Sequence, residues 1–511
     1  MNQNIKNLIA RIFSMIASFL STMIITHIVV QYIGKELYGF YQMSNDIINY
    51  ATIITVALNS MSSRFITISY IRKEYDDANK YYNSVLYGNL VLAIVLAIPS
   101  IFFVGNLEKF LTVSEIYLQD VKILFGLMFV NFFATVCTSV LSAATFVKNR
   151  IDLDSYRTIE REVIRVIIVF VICRFFPPHI WCIGVAMLVG TIFVALRNYY
   201  YTIKLVPEIK LLKRKYFNKK NIIELICSGF WNSLTQLGQV LRNGVDLIIA
   251  NQFIDSVAMG TLSVAKTLPK YLMTAMTTVA SVFTPSVMIA YAEKDKVKLI
   301  SIIYKAIKVC ALISICIEVI IIVLGQRLYT LWVPGQDSTI LTLLSVVSMV
   351  GYIVLMPMQV LWTIFTATNK VKISSIYLLT ESLVTISIVF ALLNITNNRL
   401  IKLIIIAGVS SVFELIRGLT FLPLVSAYLM GVKITTFFKP LLKILIAFVV
   451  CIGICSVINF IPSKLGWIGF IILCGIEVAV SIGISFIIMF SRNEKQELII
   501  FIKEKIGIKH E

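Results

Sequence analysis

Charged residues are scarce in this chain of 511 residues, at 14%, whereas apolar residues make up 58%. A soluble domain carries about 25% charged and about 45–50% apolar residues, which let it cover its core with a polar surface. The mean hydropathy of +0.88 agrees with this shortage of polar side chains. The composition therefore excludes an ordinary soluble enzyme, a disordered chain and a disulfide-stapled secreted domain.

Histidine is also scarce, at three residues, and none of the nine cysteines forms a Cys-x-x-Cys pair. Because structural metal sites are built from clusters of these side chains, we expect neither a metal site nor a cofactor. Nearly all the cysteines lie in apolar runs, where cysteine packs as a small apolar residue.

Long apolar runs dominate the chain. A membrane span needs about 20 mostly apolar residues, and fourteen segments meet this requirement. The first run follows Lys6 and Arg11 and is too long for the core of a cleaved signal peptide, so we predict that it is retained. The predicted fold is an all-α polytopic membrane protein with 14 transmembrane helices, or 12 at minimum. The predicted spans are 8–32, 40–70, 84–104, 120–147, 160–176, 180–206, 223–252, 260–291, 299–325, 339–366, 374–394, 401–430, 439–461 and 467–490.

Basic residues are distributed unevenly between the predicted loops. With the N-terminus in the cytoplasm, 33 Lys and Arg residues fall on the inner side and 8 on the outer side. Since basic residues accumulate on the cytoplasmic side, we predict a multi-pass protein of the cell (plasma or inner) membrane with both termini cytoplasmic. The same rule explains the net charge of +19, so nucleic acid is not an expected partner. The basic stretch 210–220 fits either topology alone or binding to anionic membrane lipids.

Two stretches about 221 residues apart, 31–47 and 252–268, have a similar pattern, and each forms a predicted outer turn between two spans. The matched pairs are Gln31 with Gln252, Ile33 with Ile254, Gly39 with Gly260 and, near the same offset, Asn149 with Asn369. Six spans precede the basic loop 207–222 and six follow it, so the two halves share an orientation and are parallel repeats. We predict six-helix halves at 1–220 and 221–430. The remaining 431–511 would hold two more spans and a cytoplasmic tail.

Charge inside the spans costs about 2.5–3.5 kcal/mol per residue on insertion scales, so it is expected to face water or a partner. In span 7, five polar residues share one helical face, which favours a hydrated cavity: Asn232, Gln236, Gln239, Asn243 and Asp246. The predicted substrate-binding residues are Arg11, Arg64, Asn232, Gln236, Gln239, Arg242, Lys266 and Lys270. The predicted coupling or gating residues are Asp46, Asp246, Glu381, Glu414 and Arg417. Two pairs, Arg242 with Asp246 and Glu414 with Arg417, have ion-pair spacing on a helix, and a structural and a gating role are both open.

The span count, the parallel halves and one outer turn together resemble a known family. The turn contains Tyr-Ile-Gly at 32–34, followed by Tyr38-Gly39 and Tyr41. This pattern is similar to that of the polysaccharide flippases of the multidrug/oligosaccharidyl-lipid/polysaccharide exporter superfamily, with Ile33 in place of the family's Leu. Ala143-Ala144 followed by Lys148-Asn149-Arg150 also resembles the end of the family's fourth span.

The resemblance implies a function as well as a fold. Such a protein moves an undecaprenyl-diphosphate-linked oligosaccharide from the inner to the outer leaflet by alternating access of its two halves. Arg11 and Arg64 lie in spans 1 and 2, where lipid-II-type flippases also carry basic residues. The expected partners are this lipid-linked oligosaccharide and membrane lipids, with H⁺ or Na⁺ as a candidate coupling ion. The oligomeric state is not predicted.

Two other functions, an antiporter and a polysaccharide polymerase or ligase, agree less well with the sequence. A multidrug or cation antiporter of the same superfamily should favour acidic over basic cavity residues, whereas spans 1, 2, 7 and 8 are net basic. A membrane-embedded polysaccharide polymerase or ligase usually has a large outer loop with catalytic side chains. The longest predicted outer loops are 105–119 and 325–338, and neither holds a persuasive catalytic set. We therefore predict a transporter rather than an enzyme.

The predicted orientation can be tested with Asn218→Cys and Asn397→Cys. Each substitution is made separately in a chain without other reactive cysteines. A membrane-impermeant maleimide applied to intact cells should label position 397 and leave position 218 unlabelled. Permeabilised cells should label both positions, which controls for accessibility. Labelling of position 218 alone in intact cells would contradict the topology.

Overall fold

The computed structural model of the protein describes residues 3–457, 466–491 and 494–495, and most of the predicted cytoplasmic tail lies outside these ranges. All regular secondary structure in the described ranges is helical, which confirms the predicted all-α fold. The helices are α1 Gln3–Tyr32, α2 Lys35–Asn59, α3 Ser62–Ile71, α4 Tyr75–Gly105, α5 Leu107–Phe110, α6 Leu118–Thr138, α7 Ala143–Val147, α8 Ile151–Phe175, α9 Trp181–Leu205, α10 Lys219–Gly244, α11 Asp246–Phe253, α12 Ser256–Val282, α13 Thr284–Ala292, α14 Lys296–Trp332, α15 Ser338–Met349, α16 Tyr352–Met358, α17 Trp362–Ala367, α18 Val371–Leu393, α19 Arg399–Leu419, α20 Phe421–Met430, α21 Phe438–Cys455 and α22 Gly466–Met489.

Ten of the described helical segments are long and apolar enough to cross a membrane, or eleven if a pair bent by 47° is one span. That pair is α15 with the segment formed by α16 and α17. Three predicted spans, which correspond to α8, α10 and α19, fall outside this set because they carry more charged or polar side chains. The polytopic membrane fold is confirmed, and the count of 14 spans remains a prediction.

The helices pack into two compact units. Unit 1 comprises Met1–Val264 and Val371–Ile406, and unit 2 comprises Ala265–Lys370 and Ala407–Glu511. Helices α10 and α18, from the predicted second half, belong to unit 1, because α10 packs against both α2 and α18. The units thus follow packing rather than chain order. The division by repeat into 1–220, 221–430 and 431–511 remains a prediction.

Each unit is organised around a few long helices. In unit 1, α1 packs along α8, while α9 packs on α6 and α8. In unit 2, the 37-residue α14 packs on α15, α16, α21 and α22 and is buried along most of its length. The Tyr304 hydroxyl donates to the Thr436 carbonyl at 2.6 Å, and Lys308 pairs with Glu494 at 2.6 Å. These contacts fasten the segments that flank α21 and α22 to α14.

Helix boundaries recur along the chain at the spacing of the sequence repeat. Helices α6 and α15 begin 220 residues apart, as do α8 and α18. An asparagine with positive φ lies two residues beyond the end of both α7 and α17, namely Asn149 (53°) and Asn369 (55°). After each asparagine, the next amide donates to the carbonyl five residues earlier, at 2.7 Å and 2.8 Å. The local structure thus repeats at the pair of asparagines that the sequence matched.

These two turns allow a matched test of the repeat. Because a residue other than Gly or Asn is strained in the left-handed region, Asn149→Ala and Asn369→Ala should each destabilise the protein by about 1 kcal/mol. Thermal unfolding of the purified protein in detergent measures the effect. The Asn→Gly variants are the control for backbone strain, since glycine adopts this conformation readily, and each should unfold at a higher temperature than its alanine counterpart. Both variants at position 149 also lose the hydrogen bond that Asn7 donates to the Asn149 side chain, so this loss cancels in the comparison. Alanine variants as stable as wild type would contradict the prediction.

Candidate functional site

Two glycines let α10 lie very close to its neighbours in unit 1. A Cβ atom on Gly229 would overlap the carbonyl oxygen of Ala57 on α2. A Cβ atom on Gly238 would lie 3.0 Å from Leu378 on α18. Small residues at such points allow helices to pack backbone to backbone, as in many membrane proteins. Helix α10 therefore has a fixed position between α2 and α18.

Hydroxyl groups fix the register of these helices. The Ser233 hydroxyl on α10 donates to the Ile53 carbonyl on α2 at 2.9 Å. On the other side, the Ser382 hydroxyl on α18 donates to the Gly238 carbonyl at 2.6 Å, and the Thr235 and Ser375 hydroxyls lie 2.7 Å apart. A rigid α10 holds the side chains on its remaining face in defined positions.

The predicted polar stripe lies on this remaining face. The Asn232 side-chain amide donates to the Ser60 hydroxyl, just beyond the end of α2, at 3.2 Å. Asn232 and Gln236 are half-buried and Gln239 is exposed, so these three amides are accessible. The side chain of Asn243, which continues the stripe, lies outside the described residues. The accessible part of the stripe can form hydrogen bonds with a polar ligand.

Charged residues lie at the other end of the stripe. Asp46 on α2 is buried, as are Arg242 at the end of α10 and Asp246 at the start of α11. A Cβ atom on Gly244 would lie 3.5 Å from Asp46 Cβ, which brings α2 and α10 together at this level. Tyr50 on α2 interacts electrostatically with both Asp46 and Asp246. The structure thus places both predicted carboxylates near one phenol.

The helix that carries Arg242 and Asp246 is interrupted between them, at Val245, where α10 ends and α11 begins. Gly244 immediately precedes the break, and glycine has the lowest helix propensity apart from proline. Val245 keeps right-handed helical dihedral angles (φ −85°, ψ −26°), so the chain direction changes little there. The ion-pair spacing of Arg242 and Asp246 remains a prediction.

The other predicted residues of unit 1 lie in different surroundings. Arg11 on α1 and Arg64 on α3 are exposed. Glu381 on α18 is buried, one residue before the Ser382 that binds α10. Among the predicted residues of unit 1, Arg11 and Arg64 are therefore accessible, whereas Arg242 and the three carboxylates are buried.

In unit 2, Lys266 and Lys270 flank a break in the hydrogen bonding of α12. Pro269 lacks an amide hydrogen, so the Ala265 carbonyl loses its helical partner. The Ser345 hydroxyl on α15 donates to this carbonyl at 2.8 Å, and the Tyr329 hydroxyl on α14 donates to it at 3.3 Å. Lys266 is half-buried and Lys270 is exposed. Two buried hydroxyls thus stabilise the irregular helix that holds both lysines.

Glu414 and Arg417 form a buried pair on α19, with 4.0 Å between the carboxylate and the guanidinium. The pair lies beside the break between α15 and α16, where a Cβ atom on Gly351 would lie 2.7 Å from Glu414 Cβ. The Gly351 amide donates to the Ser411 hydroxyl of α19 at 2.8 Å. The pair is therefore part of the packing at a helix break.

Sequence reasoning missed a second buried charge cluster, on α8 in unit 1. Glu162 is 3% exposed and lies 3.0 Å from the guanidinium groups of both Arg161 and Arg165. Arg165 also donates to the Thr22 hydroxyl of α1 at 3.3 Å. Gly190 of α9 leaves room for Arg161, since a Cβ there would lie 2.8 Å from Arg161 Cγ. The spacing of Glu162 and Arg165, i and i+3, was the available signal, but this stretch was interpreted only as part of the predicted span 160–176.

The beginning of α8 also fixes the N-terminus of α1. Asp152 is fully buried, 3.2 Å from Lys6 and 3.0 Å from Arg150. Burial by itself would raise the pKa of Asp152, but the charges and hydrogen bonds of Arg150 and Lys6 hold this pKa below its ordinary value. Asp152 is therefore ionised and binds α1 to the turn before α8.

Solved transporters share this fold. The lipid II flippase MurJ in an inward closed conformation matches with a TM-score of 0.68 and 16% identity, covering 97% of this chain and 100% of MurJ. An inward-facing multidrug resistance MATE family transporter of the MOP superfamily matches with a TM-score of 0.65 and 15% identity, covering 83% of this chain and 99% of that one. At these identities the likeness shows the fold alone.

Residues 5–289 match the family described as polysaccharide biosynthesis protein, and the chain belongs to this family. It is also 27% identical over 498 residues to the uncharacterized membrane protein EpsK of Bacillus subtilis (strain 168), with 96% of each chain covered. The resemblance noted from the sequence is confirmed.

The proline break in α12 leads to a double-mutant test. Ser345→Ala should destabilise the protein by about 1–2 kcal/mol, because it removes a hydrogen-bond donor from the buried Ala265 carbonyl. In a Pro269→Ala background, the restored amide can satisfy that carbonyl, so the same substitution should cost less. Thermal unfolding of the four proteins in detergent measures the coupling. An equal effect of Ser345→Ala in both backgrounds would contradict this account of the break.

Proposed function

We propose that the protein is a flippase that moves an undecaprenyl-diphosphate-linked oligosaccharide from the inner to the outer leaflet for cell-surface polysaccharide synthesis. Membership of the polysaccharide biosynthesis family and the fold shared with MurJ support this class of substrate. The observation that carries the proposal is the accessible polar stripe of α10, since a ligand with a polar headgroup is needed to occupy such a surface among apolar helices.

The accessible cations suit the diphosphate of this substrate. A diphosphate is bound by cations and oriented donors, which offset its charge where water is excluded. Arg11 and Arg64 are the exposed cations of unit 1, and Ser60, which binds Asn232, lies four residues before Arg64. In unit 2, Lys266 and Lys270 are proposed as further anion contacts. The amides of Asn232, Gln236 and Gln239 would then bind sugar hydroxyls or phosphate oxygens.

The buried charges are assigned a different task. A side chain that is almost fully buried cannot contact a bulky oligosaccharide, and this applies to Asp46, Arg242 and Asp246. A buried carboxylate can instead bind a small cation such as H⁺ or Na⁺ and report its presence by a change of charge. We therefore propose that Arg242 takes part in coupling, together with Asp46 and Asp246, and does not bind the substrate. Glu381, Glu414 and Arg417 stay as coupling or gating candidates.

Close packing of two equivalent turns supports alternating access. A Cβ atom on Gly39 of α2 would lie 2.9 Å from the Cα atom of Gly260 of α12. The Ser256 hydroxyl donates to the Glu36 carboxylate at 2.6 Å. Both turns are predicted to lie at the outer surface, so their contact would close the path on that side. Separation of these turns would open it.

A drug antiporter of the same superfamily is the second candidate. The fold shared with MATE transporters and the buried carboxylates Asp46, Asp246 and Glu381 favour it. The two candidates differ in the charge of the ligand. An antiporter exports a cationic drug, which exposed arginine and lysine would repel. The charge of the accessible residues therefore separates the two functions.

Substitution of the accessible cations tests the flippase. Arg64→Gln and Lys270→Gln, made separately, should each reduce polysaccharide export at least about tenfold, as expected for the loss of a charge-assisted hydrogen bond. Lipid-linked oligosaccharide should accumulate on the cytoplasmic leaflet while the protein remains in the membrane. Arg64→Lys and Lys270→Arg should keep part of the activity, because the charge remains.

The control is Lys109→Gln, which removes an exposed charge from α5, away from the stripe, and should leave export unchanged. Normal export from both glutamine variants would contradict the assigned contacts. Unchanged export together with increased sensitivity of the cells to cationic drugs would favour the antiporter.

A further inference from the structure

The segment between α9 and α10, residues 206–218 (the linker), is bound along its length to α4. Three buried residues of α4 make these contacts, namely Asn79, Asn83 and Ser84, and each is at most 2% exposed. Their side chains form hydrogen bonds with backbone groups of the linker, which would otherwise need partners in regular secondary structure. The hydrogen bonds run from Asn79 Nδ2 to Glu208 O (2.9 Å), from Lys210 N to Asn79 Oδ1 (2.6 Å), from Asn83 Nδ2 to Lys210 O (2.8 Å), from Lys213 N to Asn83 Oδ1 (3.1 Å) and from Asn218 N to Ser84 Oγ (2.9 Å). Five backbone groups are thus satisfied by three side chains, and the linker has a defined conformation.

The linker has one buried apolar side and one exposed basic side. Val206, Ile209 and Tyr216 are buried, the first two in the core between α3, α4 and α7. On the other side, four basic residues are exposed, namely Lys210, Lys213, Arg214 and Lys215. Lys219 and Lys220, at the start of α10, are exposed next to them in the chain. The fixed backbone therefore presents a cluster of cations rather than a freely moving chain.

Exposed apolar side chains lie among these cations. Leu212 is 62% exposed and has φ of 54°, a conformation that is a genuine outlier for a bulky residue. The Tyr87 hydroxyl donates to the Leu212 carbonyl at 3.1 Å and helps to hold it there. Phe217 is 40% exposed and packs edge-on against Tyr87. A strained backbone that directs a leucine outward, beside cations, indicates a surface that contacts something apolar and anionic.

The nearby acid does not neutralise the cluster. The Tyr70 hydroxyl donates to the Glu208 carboxylate at 2.6 Å, and Lys148 lies near the same carboxylate. This hydrogen bond, together with one from the backbone of Glu208, holds the pKa of Glu208 below its ordinary value. Glu208 is therefore ionised but engaged with α3, and the exposed side of the linker stays basic.

We propose that the linker is a binding site for the headgroups of anionic phospholipids at the predicted cytoplasmic surface of the membrane. Lys210, Lys213, Arg214 and Lys215 bind the phosphates, and Leu212 and Phe217 insert at the boundary between headgroups and acyl chains. The proposal is independent of the transported substrate.

Membrane topology alone does not require this arrangement. The positive-inside rule depends on the number of basic residues near a span and not on their conformation. A soluble polyanion such as nucleic acid would bind the cations but would leave Leu212 without an apolar contact. A lipid surface satisfies both the cations and the apolar side chains, as for other basic segments at membrane surfaces.

The test uses the full-length protein in nanodiscs of phosphatidylcholine and phosphatidylglycerol in equal amounts. Native mass spectrometry after release from the nanodisc counts the molecules of each lipid that stay bound. The variant with Lys210→Gln, Lys213→Gln, Arg214→Gln and Lys215→Gln should lose the preference for phosphatidylglycerol at least about tenfold, since each basic residue near an anionic surface contributes about fivefold. Phosphatidylcholine binding should not change.

A matched variant controls for total charge. Lys294, Lys433, Lys439 and Lys443 are exposed, lie in unit 2 and are predicted to be on the same side of the membrane. Replacement of these four by glutamine removes the same charge and should keep the preference. Loss of the preference to the same extent in both variants would overturn the proposal, as would an unchanged preference in the linker variant.

A second substitution tests the apolar contact without loss of charge. Leu212→Asn should leave thermal stability unchanged or higher, because asparagine tolerates positive φ, while phosphatidylglycerol retention falls. Unchanged retention would overturn the role of Leu212. Displacement of the lipid by inorganic phosphate would show a site for soluble anions and would also overturn the proposal.

Discussion

Backbone groups in an apolar helix bundle have no water to bind, so each irregular segment must find its hydrogen-bond partners within the protein. This constraint explains where the small polar side chains lie. Ser345 replaces the amide that Pro269 cannot supply to α12. Ser411 satisfies the free amide between α15 and α16. A surface segment follows the same rule, since Asn79, Asn83 and Ser84 of α4 bind the backbone of the linker.

Charge follows a related rule, because a buried ion needs a partner or a pathway. The cluster around Glu162 and the pair formed by Glu414 and Arg417 are ion pairs inside their own units. Arg11, Arg64 and Lys270 are exposed instead. Under the proposed function, accessibility separates the charges that can contact a large anionic substrate from the buried charges that can respond only to a small ion.

Two glycines that the sequence comparison matched are in close contact. Gly39 and Gly260 touch each other in unit 1, where a Cβ atom on Gly39 would lie 2.9 Å from Gly260 Cα. A side chain at either position would separate the two turns. The need for close contact at this point, and not local backbone geometry, accounts for the two glycines.

The amino-acid sequence by itself determined the membrane class, the helical fold and the family resemblance, because these depend on composition and on spacing along the chain. It also identified the polar face of α10, since helical periodicity is a local property. Only the tertiary structure decided which charges are accessible. It showed Arg242 to be buried and Arg64 exposed, it interrupted α10 at Val245, and it joined Glu162 to α1 through Arg165 and Thr22. Burial and partner choice depend on residues far apart in the chain, and one sequence carries no direct signal for their distance.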